Sequence, residues 1–355
     1  MRFNPKMTTL GIESTCDETG VALVRDGNRI IANVVSSSIL MHQKYGGVVP
    51  EVAAREQIKV IIPCLKEALE SVGDPQKSID AIAVSYGPGL VGSLLVGVET
   101  AKALALIWDK PLIAVNHLLG HIYANWVNQA PKFPLVALVV SGGHTDLILM
   151  KRHGTYRWLG GTLDDAAGEA FDKVARVLGL GYPGGPEIEK LASQSEKSTV
   201  KLPRPKINDN DFDFSFSGLK TAVINLVHSS PRSATNFAKA SMVKKASRGE
   251  QFVVHGKGEI AFEFQNAICD VLVKKTVSAA MKFGVRSIVV GGGVAANSVL
   301  RHQMSDAGRK NGIDVYFPPK EMAVDNGAMI AAAAFYNQEF VDPLKLQADP
   351  GLHFA

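Results

Sequence analysis

The sequence predicts an α/β protein made of two related halves. A pattern of strand, polar turn, strand and strand begins at Thr9 and recurs at Pro134, which indicates an internal duplication of pattern rather than of identity. A third observation is the glycine run at 291–293, which follows a predicted strand and opens a helix. We therefore predict one lobe over residues 1–132 and a second lobe over residues 133–355.

The first half alternates strands with helices. Residues 9–23 contain two apolar segments with the polar turn 13–20 between them, and a third strand is predicted at 29–35. Apolar residues at helical spacing predict a helix at about 51–71. The remaining predicted elements are a strand at 79–86, a mostly apolar and hence buried helix at 93–107, and a strand at 112–115.

The second half repeats this plan and then extends it. Strands are predicted at 134–140, 147–151 and 155–159, with the polar turn 141–146 after the first of them. A helix at 168–178 and a loop at 181–186 follow. The chain then ends with a helix at 259–282, a strand at 286–290, a strand at 315–317 and an alanine-rich buried helix at 328–336.

A polar and basic insertion interrupts the second half at about 202–258. Between Lys201 and Gly258 the chain has ten Lys or Arg and four Asp or Glu. Such an excess is typical either of a solvated face or of a docking surface for a phosphate backbone. Within it, Phe212, Phe214 and Phe216 alternate with polar residues, and we predict that they form the inward face of a strand.

Composition bounds the class of protein. A chain of 355 residues with 46% hydrophobic and 20% charged residues is typical of a soluble globular protein with two domains of ordinary size. Residues 1–10 lack an apolar run of signal-peptide length, and the apolar region 87–108 is interrupted by Glu99 and Lys102. The three cysteines are widely spaced and form no CxxC pair: Cys16, Cys64 and Cys269. We expect a cytoplasmic enzyme that does not contact a membrane.

A histidine pair lies in the segment 116–121, directly after a predicted strand. On a helix, His117 and His121 would have Cβ atoms about 5–6 Å apart and could bind one divalent metal. A zinc peptidase of the HExxH type needs a glutamate directly after the first histidine, and this chain has Leu118 there. The alternative is a helix with one capping and one core histidine.

Asp325 is the candidate third ligand. It sits at the start of the last predicted helix, where a carboxylate is either an N-cap or, if the helix returns to a cleft between the lobes, a neighbour of His117 and His121. Two imidazoles and one carboxylate leave open coordination positions for an oxygen ligand. We expect one divalent metal per chain, Fe(II) in the first place and Zn(II) as the alternative.

Three turns have the composition of nucleotide-binding turns: 14–20, 141–145 and 291–293. Each alone is also typical of an ordinary tight turn. Together, two matched strand-turn-strand elements and a glycine turn make the nucleotide-cleft pattern of actin, the Hsp70 chaperones and sugar kinases. We therefore predict this duplicated (ASKHA) fold, with two lobes around a nucleotide cleft. The sequence has no GxxxxGK[ST] and hence no P-loop.

Two further carboxylates are candidates for this cleft. Asp17 in the first turn could orient a metal, a water or a phosphate, whereas Cys16 beside it suits packing better than nucleophilic catalysis. Asp172 could bond a ribose or a threonyl group, or it could be an ordinary acid on a helix surface.

Ten segments together resemble one family. They are Gly11–Thr19, Gly46–Glu51, Gly87–Leu90, Asn116–His121, Ser141–His144, Asp164–Lys173, Tyr182–Pro186, Phe214–Lys220, Gly291–Asn297 and Asp325–Asn326. In this order they resemble the bacterial tRNA N6-adenosine threonylcarbamoyltransferase (TsaD) family, formerly described as a glycoprotease family. The resemblance covers nearly the whole chain.

The resemblance implies a reaction and a set of site residues. Threonylcarbamoyl-AMP would donate its threonylcarbamoyl group to the N6 amine of the adenosine 3′ of the anticodon, in tRNAs that read codons beginning with A, and AMP would be released. The residues implied to bind the metal are His117, His121 and Asp325. Those implied to bind the adenylate are Val140, Ser141, Gly142, Gly143, His144, Asp172, Gly185, Glu189 and Asn297. We expect Asp17 and His144 to be catalytic.

The resemblance also implies partners, namely tRNA, a TsaB-like paralogous subunit and a TsaE-like P-loop ATPase. For the segment 231–258, which is longer and more basic than the family pattern, our hypothesis is a disordered or tRNA-facing insertion. The chain departs from the pattern at Gln57, where the family usually has histidine, at Leu119, usually glutamate, and at 323–324, where Cys-Thr is common.

Three rival functions remain at this point. The first is a metallopeptidase, which the missing glutamate after His117 disfavours. The second is a non-catalytic paralogue that serves as a dimerisation scaffold, which would not need the three metal ligands. The third is a sugar or acetate kinase of the same fold, in whose chemistry the histidine pair has no role.

Overall fold

Two mixed sheets and the helices around them make up the protein. The computed structural model describes residues 6–127, 129–207, 209–229 and 256–354. The strands are β1 (Thr8–Glu13), β2 (Glu18–Arg25), β3 (Arg29–Ser37), β4 (Ala81–Gly87), β5 (Leu112–Asn116), β6 (Leu135–Val140), β7 (Thr145–Arg152), β8 (Thr155–Gly161), β9 (Ser287–Gly291), β10 (Asp314–Tyr316) and β11 (Phe340–Val341).

The helices connect these strands and cover the sheets. They are α1 (Ile39–Gln43), α2 (Pro50–Leu69), α3 (Pro75–Ser78), α4 (Val91–Trp108), α5 (His117–Tyr123), α6 (Ala167–Val177), α7 (Gly184–Ala192), α8 (Ser217–Ser229), α9 (Lys257–Lys282), α10 (Ser298–Lys310) and α11 (Gly327–Asn337). Short 3-10 turns occur at Ala124–Trp126, Gly293–Ala296 and Lys320–Met322.

The internal duplication is visible in the strand pairing. Within the described ranges the first sheet has the order β11-β5-β4-β1-β2-β3 and the second the order β10-β9-β6-β7-β8. Strand β1 pairs antiparallel with β2 and parallel with β4, and β6 pairs in the same way with β7 and β9. The polar turn after β1 and the polar turn after β6 are therefore equivalent positions in the two sheets.

Helices α5 and α11 fill the space between the two sheets. Their apolar residues share one buried cluster with Ala22 and Val24 of β2 and with Ile148 and Met150 of β7. The backbone of α11 lies directly against β1, because a Cβ added at Gly11 would lie 2.2 Å from the carbonyl oxygen of Gly327. Only glycine permits such a close approach of helix and strand.

The final helix belongs with the first sheet. Helix α11 packs on β1 and β2, and β11 pairs antiparallel with β5, so residues 327–341 complete the sheet that the first 116 residues begin. The lobe boundary predicted at residue 132 stays a prediction. Helix α11 packs on β1 to β5 of the first sheet and on α5, and its apolar residues belong to a buried cluster that also contains residues of β6 and β7.

Three local predictions were wrong. Helix α7 begins inside the predicted loop 181–186, and helix α8 lies inside the insertion that was predicted to be irregular. Phe214 makes only an isolated bridge with Thr162, so the phenylalanine alternation is not a strand, although Phe214 and Phe216 are both fully buried. Residues 230–255 of the predicted insertion, including most of the basic 231–258 segment, lie outside the described residues.

Helix α4 is the apolar helix that the sequence analysis expected not to cross a membrane. By length and composition alone it is the one helix of the described chain that could span a bilayer, and a core helix of a soluble protein passes the same test. It packs on β4 and α2, while Val91, Leu95, Leu106 and Ile107 remain exposed. The expectation of no membrane contact stays a prediction.

Candidate active site

The two histidines lie on α5 at the carboxyl end of β5. Asn116 ends the strand and caps the helix, because its Oδ1 accepts a hydrogen bond of 2.8 Å from the backbone N–H of Leu118. The rings of His117 and His121 meet edge to face, with centroids 4.6 Å apart. The helical periodicity thus places both imidazoles on one face, as predicted.

Asp325 completes a cluster with both histidines. It precedes α11, whose N-cap is Asn326 rather than Asp325. The Asp325 Oδ1 atom lies 3.2 Å from His121 Nε2 and 3.7 Å from His117 Nε2. One ligand atom from each of the three residues lies within 4.8 Å of the other two. The structure therefore brings the three predicted ligands together.

The chemistry of these donors fits a divalent metal. His121 is buried, and among the described residues neither of its ring nitrogens has a hydrogen-bond partner of acceptable geometry. A buried polar atom without a partner costs about 1–3 kcal/mol, which a metal ligated at that nitrogen would offset. Two imidazoles with one carboxylate is a donor set that first-row divalent metals accept. His117, His121 and Asp325 can therefore hold one such ion.

Glu13 orients the first histidine and was missed by the sequence analysis. Its side chain is completely buried at the end of β1, where Oε2 lies 3.0 Å from His117 Nδ1 and Oε1 accepts a 2.7 Å bond from the backbone N–H of Thr15. A carboxylate at Nδ1 requires a hydrogen on that nitrogen and leaves Nε2 facing Asp325. Its only sequence signal was the acid within the segment Gly11–Thr19, before the polar turn.

The two carboxylates also set the charge of this histidine. Burial lowers the pKa of His117, but the negative charges of Glu13 and Asp325 outweigh burial and raise it to about 9. Conversely, burial raises the pKa of Asp325, but the attraction of His117 and His121 outweighs it and lowers the pKa to about 2. Before a metal binds, Asp325 is therefore ionised beside a protonated His117, and metal binding at His117 Nε2 would release one proton.

A cavity of about 760 Å³ opens beside this cluster, between the first and second polar turns. Its size suits a nucleotide-sized ligand. Eleven predicted site residues line it: Asp17, His117, Ser141, Gly142, Gly143, His144, Asp172, Gly185, Glu189, Asn297 and Asp325. Two predicted residues do not: His121 is buried behind His117, and Val140 is fully buried in the core of the second lobe.

Glycines keep the cavity wall open. A Cβ added at Gly142, Gly143 or Gly185 would meet no protein atom within 4 Å, so side chains there would project into the cavity instead of clashing. Gly292 differs, since its φ of +92° and the 2.4 Å approach of a Cβ to the Val140 carbonyl oxygen both require glycine. The wall therefore leaves room for a ligand to approach the backbone closely.

His144 faces the cavity as a neutral imidazole. Burial, together with the positive charges of His117, His121 and His353, lowers its pKa to about 4. Two hydrogen bonds hold its turn: the Ser141 N–H donates to the carbonyl oxygen of His144, and the His144 N–H donates to the Ser141 hydroxyl. At neutral pH this ring can donate or accept a hydrogen bond but carries no charge.

The predicted adenylate residues of the second lobe form two small networks. Asp172 Oδ1 accepts a 2.6 Å bond from the Gly184 N–H at the start of α7, and burial raises the pKa of this carboxyl. Asn297 caps α10 by accepting from the Leu300 N–H, and its amide nitrogen lies 3.4 Å from Glu189 Oε2. These groups therefore hold the helix starts that border the cavity.

Gln57, which stands where the family usually has histidine, has a structural role in this chain. Its amide nitrogen donates to three carbonyl oxygens of the first polar turn, those of Ser14, Cys16 and Glu18, over 2.9–3.3 Å. A side chain of α2 thus holds the turn that carries Asp17.

Comparisons with known proteins identify the family. The family model described as "tRNA N6-adenosine threonylcarbamoyltransferase" (TsaD) matches residues 29–332. The chain belongs to this family. A TsaD relative from Moorella thermoacetica is 50% identical over 348 residues, 97% of this chain and 96% of the relative, and one from Symbiobacterium thermophilum is 51% identical over 346 residues, with 97% and 96% covered. Both carry the name tRNA N6-adenosine threonylcarbamoyltransferase.

Solved structures of lower identity agree with the predicted fold. HypF from T. kodakarensis matches with a TM-score of 0.58 at 13% identity, covering 94% of this chain and 48% of that one. A full-length HypF, in a phosphate- and nucleotide-bound form, matches with a TM-score of 0.56 at 14% identity, covering 95% and 47%. The predicted two-lobed ASKHA fold and the predicted membership of the TsaD transferase family are both confirmed.

Proposed function

We propose that the protein transfers the threonylcarbamoyl group of threonylcarbamoyl-AMP to the N6 amine of the adenosine 3′ of the anticodon, in tRNAs that read codons beginning with A. The supporting observation is that a complete His117, His121 and Asp325 cluster adjoins a glycine-lined cavity, in a chain that belongs to the TsaD family over nearly its whole length. A non-catalytic scaffold would have no need for either feature.

The reaction exchanges one bond for another at a carbonyl carbon. The N6 nitrogen attacks the carbamoyl carbon, the bond from that carbon to the phosphate oxygen breaks, AMP leaves, and the nitrogen loses one proton. The mixed anhydride is already activated, so no covalent protein nucleophile is required. We assign the removal of this proton to Asp17, whose carboxylate lines the cavity in the turn after β1.

The remaining residues bind and orient the donor. The open backbone at Gly142 and Gly143 can approach the phosphate, and the neutral His144 can hydrogen-bond it without a fixed charge that would hold back the departing AMP. Asp172 and Asn297 line the same cavity, and we assign to Asp172 a hydrogen bond with the ribose. When bound at His117, His121 and Asp325, a divalent metal would supply Lewis-acid stabilisation of negative charge that develops on an oxygen. We propose Fe(II), with Zn(II) as the alternative.

A paralogous TsaB-like subunit is the partner we propose for an exposed apolar face of the first lobe. This α2/α4 face consists of Ile58 and Ile62 of α2 with Val91 and Leu95 of α4, and each of these side chains is at least 44% exposed. A groove of about 550 Å³ lies beside it. Contiguous exposed apolar side chains on neighbouring helices are typical of a protein interface. A second copy of a related lobe could bury them by packing two of its own helices against α2 and α4.

Two further proposals follow from family membership. A TsaE-like P-loop ATPase would act together with the subunit pair, and the protein would work in the cytoplasm, where tRNA is available.

The proposed function is tested by product analysis. Unmodified tRNA, threonylcarbamoyl-AMP, the metal-loaded protein and its partner subunits are incubated, and both AMP and the modified nucleoside are quantified by mass spectrometry. One AMP for each threonylcarbamoyladenosine is the expected result. AMP release without modified nucleoside would show hydrolysis instead of transfer, and hydrolysis of a protein substrate alone would favour the metallopeptidase.

A further inference from the structure

The C-terminal tail packs against the turn after β4, and Pro88, Gly89 and Leu90 of that turn line the catalytic cavity. The Asp349 N–H donates a 2.7 Å bond to the carbonyl oxygen of Tyr86, and the Gly89 N–H donates to the carbonyl oxygen of Pro350. A few residues later His353 reaches β7, where its Nε2 lies 3.6 Å from Asp146 Oδ1. The tail therefore spans from the cavity-lining turn after β4 to the strand that begins directly after His144.

Near the end of the tail, His353 forms a half-exposed aromatic pair with Trp158 of β8. The His353 and Trp158 rings meet edge to face, with centroids 5.8 Å apart. The buried carboxylate of Asp146 lies against both, because its Oδ1 accepts a 2.9 Å bond from Trp158 Nε1 as well as facing His353. Even so, 41% of Trp158 and 51% of the His353 side chain are exposed.

Anchoring of the tail does not need this exposure. Phe354 is buried against the ring of Tyr156, and the backbone bonds at Asp349 and Pro350 hold the preceding residues. A large indole that is fixed by a buried carboxylate, yet keeps much of its ring in solvent, is instead typical of a binding surface. His353 faces Asp146, which lies two residues after the cavity-lining His144, so this surface is next to the catalytic cavity.

We propose that the Trp158 and His353 pair, called the platform below, binds an unpaired nucleobase of the RNA substrate next to the adenosine that enters the cavity. Because the two rings are nearly perpendicular, the base would stack on one of them and meet the edge of the other. The inference rests on the proposed function, because that reaction brings a single-stranded RNA loop to this cavity. Unpaired RNA bases are bound by stacking on aromatic and imidazole rings, and every base has a face that can stack. Asp146 fixes the indole orientation, so little side-chain freedom is lost when a base binds.

Binding of labelled RNA tests the platform without turnover. Fluorescence anisotropy with an anticodon stem–loop RNA is measured for the wild type, Trp158→Leu, Trp158→Phe and the matched control Trp108→Leu on α4, each with its partner subunits. Loss of one stacked base costs about 1–3 kcal/mol, so Trp158→Leu should raise Kd about tenfold or more. Trp158→Phe and Trp108→Leu should leave Kd within about threefold of the wild type.

Two further arms separate stacking from other causes. A duplex RNA of the same stem without unpaired bases should bind the wild type and Trp158→Leu equally, and His353→Ala should weaken binding of the stem–loop alone. Equal stem–loop affinity of the wild type and Trp158→Leu, or equal losses for duplex and stem–loop, would overturn the proposal. So would competition by AMP at the concentration that blocks the cavity, since the platform would then hold the free nucleotide.

The binding result can be separated from the proposed function. If the wild type bound the stem–loop through Trp158 but formed no modified nucleoside, the transfer reaction would be wrong and the platform would stand. If transfer occurred and Trp158→Leu left RNA binding unchanged, the platform would be wrong and the transfer reaction would stand.

Discussion

Replacing Glu13 with glutamine tests how the first-lobe carboxylate controls the metal site. In Glu13→Gln the amide oxygen can still accept from the Thr15 N–H, as Oε1 does at 2.7 Å in the wild type. The amide nitrogen would then face His117 Nδ1 across 3.0 Å, and both would be donors. To relieve this donor–donor contact, His117 would lose the hydrogen on Nδ1 and keep the one on Nε2, the nitrogen that faces Asp325, so the lone pair that a metal needs there would be absent.

The expected magnitude is a tenfold to hundredfold loss of metal affinity, about 1.4–2.7 kcal/mol, as for other carboxylates that support a histidine ligand. The assay is a competition titration of Zn(II), and of Fe(II) without oxygen, against a chromophoric chelator. Glu189→Gln is the matched control, because this cavity carboxylate contacts Asn297 and Ser298 and neither histidine. Metal binding by Glu13→Gln within about threefold of the wild type would refute the reasoning.

Three other predictions can be checked on single variants. Gly143→Val should weaken binding of the adenylate by about tenfold or more in calorimetry with little change in melting temperature, because a Cβ there meets no protein atom and fills the cavity; unchanged binding would mean the ligand lies elsewhere. Ile58→Asp should weaken association with the paralogous subunit at least tenfold, whereas Ile107→Asp at the far end of α4 should not, and equal affinities would remove the α2/α4 face as the interface. Burial lowers the pKa of His153 to about 4, so its neutral form stabilises the fold at pH above about 6.5, and this contribution is lost as the pH falls towards 4. The wild type should therefore lose about 1–2 kcal/mol of stability between these pH values, the full shift being reduced by solvent screening. His153→Phe should lack this loss, so its melting temperature should depend less on pH. A melting temperature that falls as steeply with pH as in the wild type would contradict the prediction.

The grouping of His117, His121 and Asp325 could be predicted in part, because local helix geometry relates two of the three residues. His117 and His121 lie four residues apart on one helix, which fixes their relation without any knowledge of the fold. Asp325 could be added only through the family resemblance and the expectation that the last helix returns to the cleft. The structure shows why this works: α11 lies between the two sheets and brings residue 325 to α5.

Glu13 and the tail contacts could not be predicted, because both depend on residues far apart in the chain. His117 and Glu13 are 104 positions apart and meet through the pairing of β1, β4 and β5. His353 likewise meets Asp146 only after the tail has crossed beside β4. Helix α8 was missed for another reason, since its polar residues gave no clear apolar period while its buried face is formed by Leu219 and Val223.

Modified-nucleoside analysis of a conservative site variant tests the central claim most directly. Asp325→Asn keeps the shape of the side chain beside His121 but removes the negative charge that a metal and the two imidazoles require. Unmodified tRNA is incubated with threonylcarbamoyl-AMP, metal, the partner subunits and either wild type or Asp325→Asn, and the digested nucleosides are analysed by mass spectrometry. We predict threonylcarbamoyladenosine from the wild type and at least a hundredfold less from Asp325→Asn, given that the variant melts at a similar temperature. Equal product from both proteins would contradict a site built on His117, His121 and Asp325, and no product from the wild type would contradict the transferase function itself.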